Sequence, residues 1–309
     1  MTRARNIDPK VHAITGYPSI GAFLAARTIT GGYHVIDHGG LPIDVLVQNR
    51  GHKTTAVFLH GAVRPEYRLP MIAGLGVSRE VDVNRIFISD PSLIISSTMN
   101  LAWYAGNSKQ RLQQILQDII GKIVSSFGSE KLVFFGTSGG GFASLYFSSQ
   151  FPGSLAIVAN PQTNIAKYEP EPVSSFAETC FEVTGSDAME KLPHSVTTDL
   201  VKVYSKPLEN TVAYMQNSMD GFHIVGHRNP FMNNLHYSNA VFELAGDDWG
   251  EGHAAPPKTL ITDVLNVATS DDWAAGLKGL GFASANFEDT ETPHKPEHSR
   301  RQSSEIPVE

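Results

Sequence analysis

Short apolar runs recur along the chain between residues 33 and 245, and their length predicts β-strands. The predicted strands cover residues 33–37, 43–48, 56–59, 85–90, 132–135, 155–159, 211–216 and 240–245. Gly39 and Gly40 separate the first two runs and predict a hairpin. Most later runs are apolar at every position, which is typical of a parallel sheet that is covered on both faces.

Segments with helical periodicity separate several of these strands. Between Leu112 and Phe127 the apolar residues repeat at offsets of three and four, which defines one helix face. Further helices are predicted over residues 142–151 and from Pro257 through Leu265, the last one extending towards Leu280. The alternation predicts the α/β class, with a mostly parallel sheet of about eight strands that helices flank.

Two segments depart from this alternation. Residues 165–210 are mixed and polar, with prolines at positions 170, 172, 193 and 207, and predict a small inserted lid. Residues 288–309 are charged and almost without apolar side chains, which predicts a disordered acidic tail. We therefore expect one domain over residues 1–287.

Composition limits the partners and the compartment. Of 309 residues, 24 are Lys or Arg and 31 are Asp or Glu, giving a formal charge of -7. Such a chain lacks the basic field that attracts nucleic acid or anionic membranes, and we expect neither as a partner. We see neither a signal peptide nor an apolar run of roughly 18 residues. With a single cysteine, Cys180, the chain suits a reducing compartment, and we expect a cytoplasmic protein without a membrane span.

A nucleophile motif follows the predicted strand 132–135 directly. Gly136-Thr137-Ser138-Gly139-Gly140 has the form G-x-S-x-G, and it leads into the helix predicted over residues 142–151. On such a turn, Ser138 would be raised above the sheet edge, where amides of the new helix favour negative charge. The alternative is a glycine-rich turn that cradles a phosphate or only packs closely.

The chain resembles the α/β-hydrolase superfamily at this motif, and the order of elements extends the resemblance over about residues 30 to 280. The resemblance implies a Ser-His-Asp triad in the chain order Ser138, Asp220, His253. It places the base, His253, in the loop after the last strand, and the acid, Asp220, after the preceding strand. Asp247, Asp248 and Asp90 are the competing acids.

The same resemblance implies an oxyanion hole at the end of the predicted strand 56–59. His60-Gly61-Ala62 stands where these hydrolases carry a His-Gly pair. The backbone amides of Ala62 and Gly139 would bind the oxyanion, and His60 would be structural.

Other residues have two interpretations each. Asp220, His223 and His227 have offsets of three and seven, which could hold a metal ion if the segment is helical. We favour no metal, with His223 lining the pocket and His227 structural. Trp103 and Tyr104 lie in an aromatic loop that either lines a substrate groove or packs beneath itself.

The resulting hypothesis is a serine hydrolase that cleaves carboxylic esters through an acyl-enzyme and needs no cofactor. Its substrate would be a small ester or an acylated sugar, a preference that comes from fold analogy alone. The alternatives are a non-catalytic binding protein with this fold and a metal-dependent hydrolase that uses Asp220, His223 and His227.

Overall fold

The computed structural model of the protein describes residues 1–285. The tail predicted for residues 288–309 lies outside this range. The described residues form one sheet of ten strands. The strands are β1 (Ile14–Tyr17), β2 (Gly32–His38), β3 (Leu41–Gln48), β4 (Thr54–Leu59), β5 (Asn84–Ile88), β6 (Lys131–Thr137), β7 (Leu155–Ala159), β8 (Thr211–Asn217), β9 (Ala240–Gly246) and β10 (Ala283–Ser284).

The strand order is β1-β2-β3-β5-β4-β6-β7-β8-β9-β10. The predicted hairpin is confirmed, since β2 and β3 pair antiparallel, and β3 pairs antiparallel with β5. Neighbours from β5 to β9 are parallel, as the continuous apolar runs indicated. The prediction of about eight strands missed β1 and β10 at the two edges, because neither strand contains a buried residue that would give a hydrophobic signal.

Helices cover both faces of the sheet. They are α1 (Ile20–Leu24), α2 (Leu112–Phe127), α3 (Gly139–Ser149), α4 (Pro170–Phe181), α5 (Leu200–Tyr204), α6 (Gly221–His223), α7 (Asn229–Met232), α8 (Lys258–Val267) and α9 (Trp273–Gly279). A π-helical turn, Ile224–Arg228, joins α6 to α7. The prediction of a single helix extending towards Leu280 is wrong, because α8 ends at Val267 and a second helix, α9, begins at Trp273. The Asp272 side chain caps α9 by accepting the Ala275 amide.

The core forms two apolar layers, one on each face of the sheet. In β4, Val57 and Leu59 enter the layer with α2 and α3, whereas Phe58 enters the layer with α8. Successive side chains of a strand point to opposite faces, so a central strand must be apolar throughout. None of the helices in the described residues is long and apolar enough to cross a membrane.

The segment 165–210 contains two helices that its prolines concealed. Pro170 stands at the start of α4, where the missing N–H costs no hydrogen bond. Phe176, Leu200 and Tyr204 from this segment are buried in the main core. The segment is therefore packed onto the domain as part of its structure.

The carboxyl ends of β4, β6, β7, β8 and β9 lie along one edge of the sheet, because these strands are parallel. The loops after them carry His60, Ser138, Gln162, Asp220 and His253. Clefts at this edge are where open α/β sheets bind ligands.

Candidate active site

Ser138 occupies a tight turn between β6 and α3. Its backbone has φ 55° and ψ -120°, a strained conformation for a residue with a side chain. Gly136 and Gly140 permit this turn, since a Cβ on Gly136 would lie 2.2 Å from the Gly140 carbonyl oxygen. The local sequence thus raises the Ser138 hydroxyl at the start of a helix, as the motif predicted.

The loop after β4 packs directly against this turn. A Cβ on Gly140 would lie 2.2 Å from the Leu59 carbonyl oxygen, and a Cβ on Gly61 would lie 3.1 Å from the Thr137 carbonyl oxygen. Among residues 1–285, neither the Ala62 amide nor the Gly139 amide donates to another protein group. Both predicted oxyanion donors therefore belong to adjoining backbone segments and have free N–H groups.

His60 supports the loop from below. Its Nδ1 donates to the Gly61 carbonyl at 2.7 Å, and its Nε2 accepts the Asp90 amide at 3.0 Å. Burial lowers the pKa of His60 to about 4, so the ring is neutral with its proton on Nδ1.

Asp220 and His253 meet after β8 and β9. His253 Nδ1 donates to Asp220 Oδ2 at 2.6 Å. The Asp220 carboxylate is almost fully buried, whereas the His253 side chain is 39% exposed. Burial opposes ionisation of Asp220, but hydrogen bonds from His253 and His223 outweigh it, so the pKa is lowered. This pairing fixes the His253 tautomer and leaves Nε2 as the basic nitrogen.

Two buried asparagines fix the exposed loop that carries His253. Asn217 Nδ2 donates to the carbonyls of Gly250 and Gly252, each at 2.8 Å. Asn160 Nδ2 donates to the Ala254 carbonyl at 2.8 Å. The backbone is thereby held on both sides of His253, although its ring faces solvent.

His223 shares the same carboxylate. Its Nδ1 lies 3.0 Å from Asp220 Oδ1 and 2.9 Å from Oδ2. Its ring stacks on the His253 ring with centroids 4.0 Å apart. Because His223 is buried, it contacts the pair from the interior of the fold. Burial and the neighbouring His253 lower the pKa of His223, which favours the neutral ring.

The segment that carries His223 and His227 is helical, as the metal hypothesis required. The residues that come together, however, are not the three that the hypothesis named. Asp220, His223 and His253 bring ligand-type atoms within 4.8 Å of one another and could hold a metal ion. His227 does not belong to this group, and its Nδ1 accepts the Thr163 amide at 3.3 Å. The hydrogen bonds to Asp220 already account for the convergence of the three side chains.

Gln162, after β7, is the hydrogen-bond partner of the Ser138 hydroxyl. Its Nε2 donates to Ser138 Oγ at 3.0 Å, and its Oε1 accepts the indole N–H of Trp103. Within residues 1–285, no hydrogen bond joins Ser138 Oγ to His253. Catalytic hydrogen bonds are often long before substrate binds and shorten in the reacting complex.

The side chains of the aromatic loop pack into the core of the protein. Trp103 and Tyr104 are each 1% exposed, so neither presents a surface to solvent. The Tyr104 hydroxyl donates to the Ile88 carbonyl, and Asp90 accepts the Tyr104 amide at 2.7 Å. Asp90 therefore supports this loop, whereas Asp247 and Asp248, the other competing acids, are exposed.

Several solved structures are similar to this chain in fold. The capsule O-acetyltransferase of Neisseria meningitidis serogroup A is 13% identical, with a TM-score of 0.51 over 68% of this chain and 89% of that chain. An S-formylglutathione hydrolase from Agrobacterium tumefaciens is 12% identical, with a TM-score of 0.49 over 76% and 90%. Carboxyl esterase 2 from Tuber melanosporum is 13% identical, with a TM-score of 0.47 over 87% and 88%.

Neither a protein-family model nor a curated protein matches the sequence. The structural similarity shows the fold: the protein has the α/β-hydrolase fold, which confirms the predicted fold class.

Sequence reasoning missed Gln162, Asn160 and Asn217. All three are polar and buried, and each lies at or just after the carboxyl end of an apolar strand. That position was a usable signal, because a polar side chain there needs a buried partner. Their partners are distant in the chain, so the sequence could not identify them.

Proposed function

We propose that the protein is a serine hydrolase that cleaves carboxylic esters through an acyl-enzyme. The observation that carries the proposal is the 2.6 Å hydrogen bond between Asp220 and His253 at the sheet edge where Ser138 is raised on its strained turn. Ser138 is the nucleophile, His253 the general base and Asp220 the residue that orients His253.

In acylation, the Ser138 Oγ proton passes to His253 Nε2 while Oγ bonds to the ester carbonyl carbon. The carbonyl oxygen becomes an oxyanion that accepts hydrogen bonds from the free backbone N–H groups of Ala62 and Gly139. When the carbonyl forms again, the bond to the alcohol breaks, and His253 gives its proton to the departing alkoxide. Asp220 stabilises the imidazolium between these two proton transfers without taking a proton itself.

In deacylation, His253 takes a proton from water, and the hydroxide attacks the acyl carbon. The bond to Ser138 Oγ breaks, and Oγ recovers its proton from His253. A sugar hydroxyl could replace water in this step, which would make the reaction an acyl transfer. Both reactions share the acyl-enzyme.

The proposed substrates are small esters and acylated sugars. The partial exposure of Ser138 and His253 supports this class, since an ester on a larger sugar could reach an open site. Met219 and Phe222, on either side of Asp220 in sequence, are about half exposed and offer apolar contact for an acyl group.

The test is turnover of p-nitrophenyl acetate by the wild type and by Ser138→Ala. We expect the variant to lose roughly a thousandfold or more in kcat while its Tm is unchanged, since only a hydroxyl is removed. Ser174→Ala, on the exposed side of α4, is the matched control and should retain wild-type kcat. Equal turnover by Ser138→Ala would contradict the proposal and favour another nucleophile, whereas no turnover by the wild type would favour a binding protein.

A further inference from the structure

We propose that Gln162 is a catalytic residue that donates a hydrogen bond to Ser138 Oγ both when this oxygen attacks the ester and when it leaves the acyl group. The inference rests on the proposed function, because it assigns a role at the same reacting atom. The oxyanion amides bind the carbonyl oxygen, whereas Gln162 binds the serine oxygen.

Gln162 is held against Ser138 at two points. Its side-chain Nε2 lies 3.0 Å from Ser138 Oγ, and its backbone amide donates to the Ser138 carbonyl at 3.2 Å. The residue is fully buried in the loop after β7, which is the strand next to the one that leads into the Ser138 turn. The donor is therefore fixed by the sheet before any substrate arrives.

Trp103 fixes which end of the amide faces the serine. An indole N–H can only donate, so the atom it contacts on Gln162 must be the carbonyl oxygen. This leaves the NH₂ group pointing at Ser138. Trp103 is held at φ 52° and packs edge-on against Phe176, with ring centroids 5.4 Å apart. A strained, buried aromatic residue thus orients the amide.

The direction of this hydrogen bond suits the chemistry. Because Ser138 Oγ accepts from Gln162, its own proton remains available for transfer to His253. Negative charge develops on Oγ as that proton leaves, and again when the bond from Oγ to the acyl carbon breaks in deacylation. A fixed donor stabilises both transition states and needs no reorganisation.

A packing role for Gln162 makes a different prediction. A side chain that only fills space can be replaced by one of similar size without a change in kcat. Gln162→Met keeps the length and removes the donor, and Gln162→Glu places a carboxylate against Oγ. Gln113→Met is the matched control, since Gln113 is buried on α2 and its amide bonds the Thr197 backbone at both ends.

The experiment measures steady-state ester turnover and the second-order rate of fluorophosphonate labelling for these variants. For Gln162→Met we expect kcat and the labelling rate to fall roughly ten- to a hundredfold, with KM within about threefold of wild type. Gln162→Glu should lose more at pH values where its carboxylate is ionised, because that charge repels charge on Oγ. Gln113→Met should retain the wild-type kcat. Wild-type kcat and labelling rate in Gln162→Met would overturn the proposal.

Trp103→Phe gives a second, independent test, since it keeps an aromatic ring and removes the indole N–H. We expect a smaller loss of kcat, and no further loss when it is combined with Gln162→Met, because both act through one hydrogen bond. If Gln162→Met does not fold, a folded Trp103→Phe with unchanged kcat overturns the proposal. If the wild type itself neither turns over esters nor labels at Ser138, the proposed function fails instead.

Discussion

One carboxylate serves two histidines in this protein. Asp220 accepts a 2.6 Å hydrogen bond from His253, and His223 Nδ1 lies about equally far from both of its oxygens. The sequence predicted Asp220 after one strand and His253 after the next, and the structure has them after β8 and β9, because the order of elements in this fold is local information. It could not show that His223 shares the carboxylate, since that contact depends on how the helical turn after β8 packs.

We expect Asp220→Asn to lower kcat roughly a thousandfold or more, because an amide whose NH₂ group faces His253 would hold the ring with its proton on Nε2. Asp248→Asn is the matched control, since Asp248 is exposed in the loop before His253. The measurement is kcat for ester hydrolysis by both variants and the wild type. A larger loss in Asp248→Asn would move the acid to the loop after β9.

At the scale of elements, the turn after β6 and the loop after β4 pack closely together because glycines, which have no side chain, lie where the two segments meet. The turn and the loop could both be predicted, because glycine spacing and the ends of apolar runs can be recognised from neighbouring residues in the sequence. Helix α4 could not, since prolines at a helix start resemble the prolines of a loop. The aromatic loop had two interpretations until tertiary packing showed Trp103 and Tyr104 to be buried.

We expect Gly140→Ala to destabilise the protein by about 3 kcal/mol or more, at the upper end for single substitutions. Its Cβ would collide with the Leu59 backbone at 2.2 Å, where no flexible side chain can move away. Gly121→Ala, in the middle of α2 with open space around it, should be neutral or stabilise by about 0.5–1 kcal/mol. Urea unfolding compares the two variants. Equal stability would show that the two loops can separate.

At the scale of the whole molecule, the segment 165–210 is joined to the core next to the candidate active site. Phe176 packs on Trp103, and the Tyr204 hydroxyl donates to the Leu145 carbonyl on α3. Polarity and prolines predicted a lid, and they obscured the helical spacing of the residues that α4 buries, which are Pro172, Phe176, Ala177 and Cys180. The segment therefore packs directly against Trp103, whose indole N–H donates to Gln162.

The buried histidine His60 makes the whole fold sensitive to acid. Its pKa is about 4 when folded and about 6.5 when unfolded, so the unfolded chain binds a proton first as pH falls. The stability lost is about 1.4 kcal/mol per pH unit between about pH 6.5 and pH 4. Buried Asp90, with its pKa raised to about 6, acts in the opposite direction. Comparison with a variant therefore isolates His60.

We expect the free energy of unfolding to fall by about 2 kcal/mol more in the wild type than in His60→Gln between pH 7.5 and 5.0. Gln can still accept the Asp90 amide but does not titrate. His236→Gln, at a histidine that is partly exposed, should follow the wild type. Urea unfolding at both pH values checks this, and identical pH slopes for His60→Gln and wild type would contradict the buried neutral ring.

The most direct test of the central claim is to treat the protein with a fluorophosphonate and locate the adduct by mass spectrometry. We predict one adduct per chain, on Ser138, with labelling slowed at least a hundredfold in His253→Gln because the hydroxyl then lacks its base. His236→Gln should label at the wild-type rate. An adduct on another residue, or no adduct under conditions that label a known serine esterase completely, would contradict the assignment of Ser138 as the nucleophile.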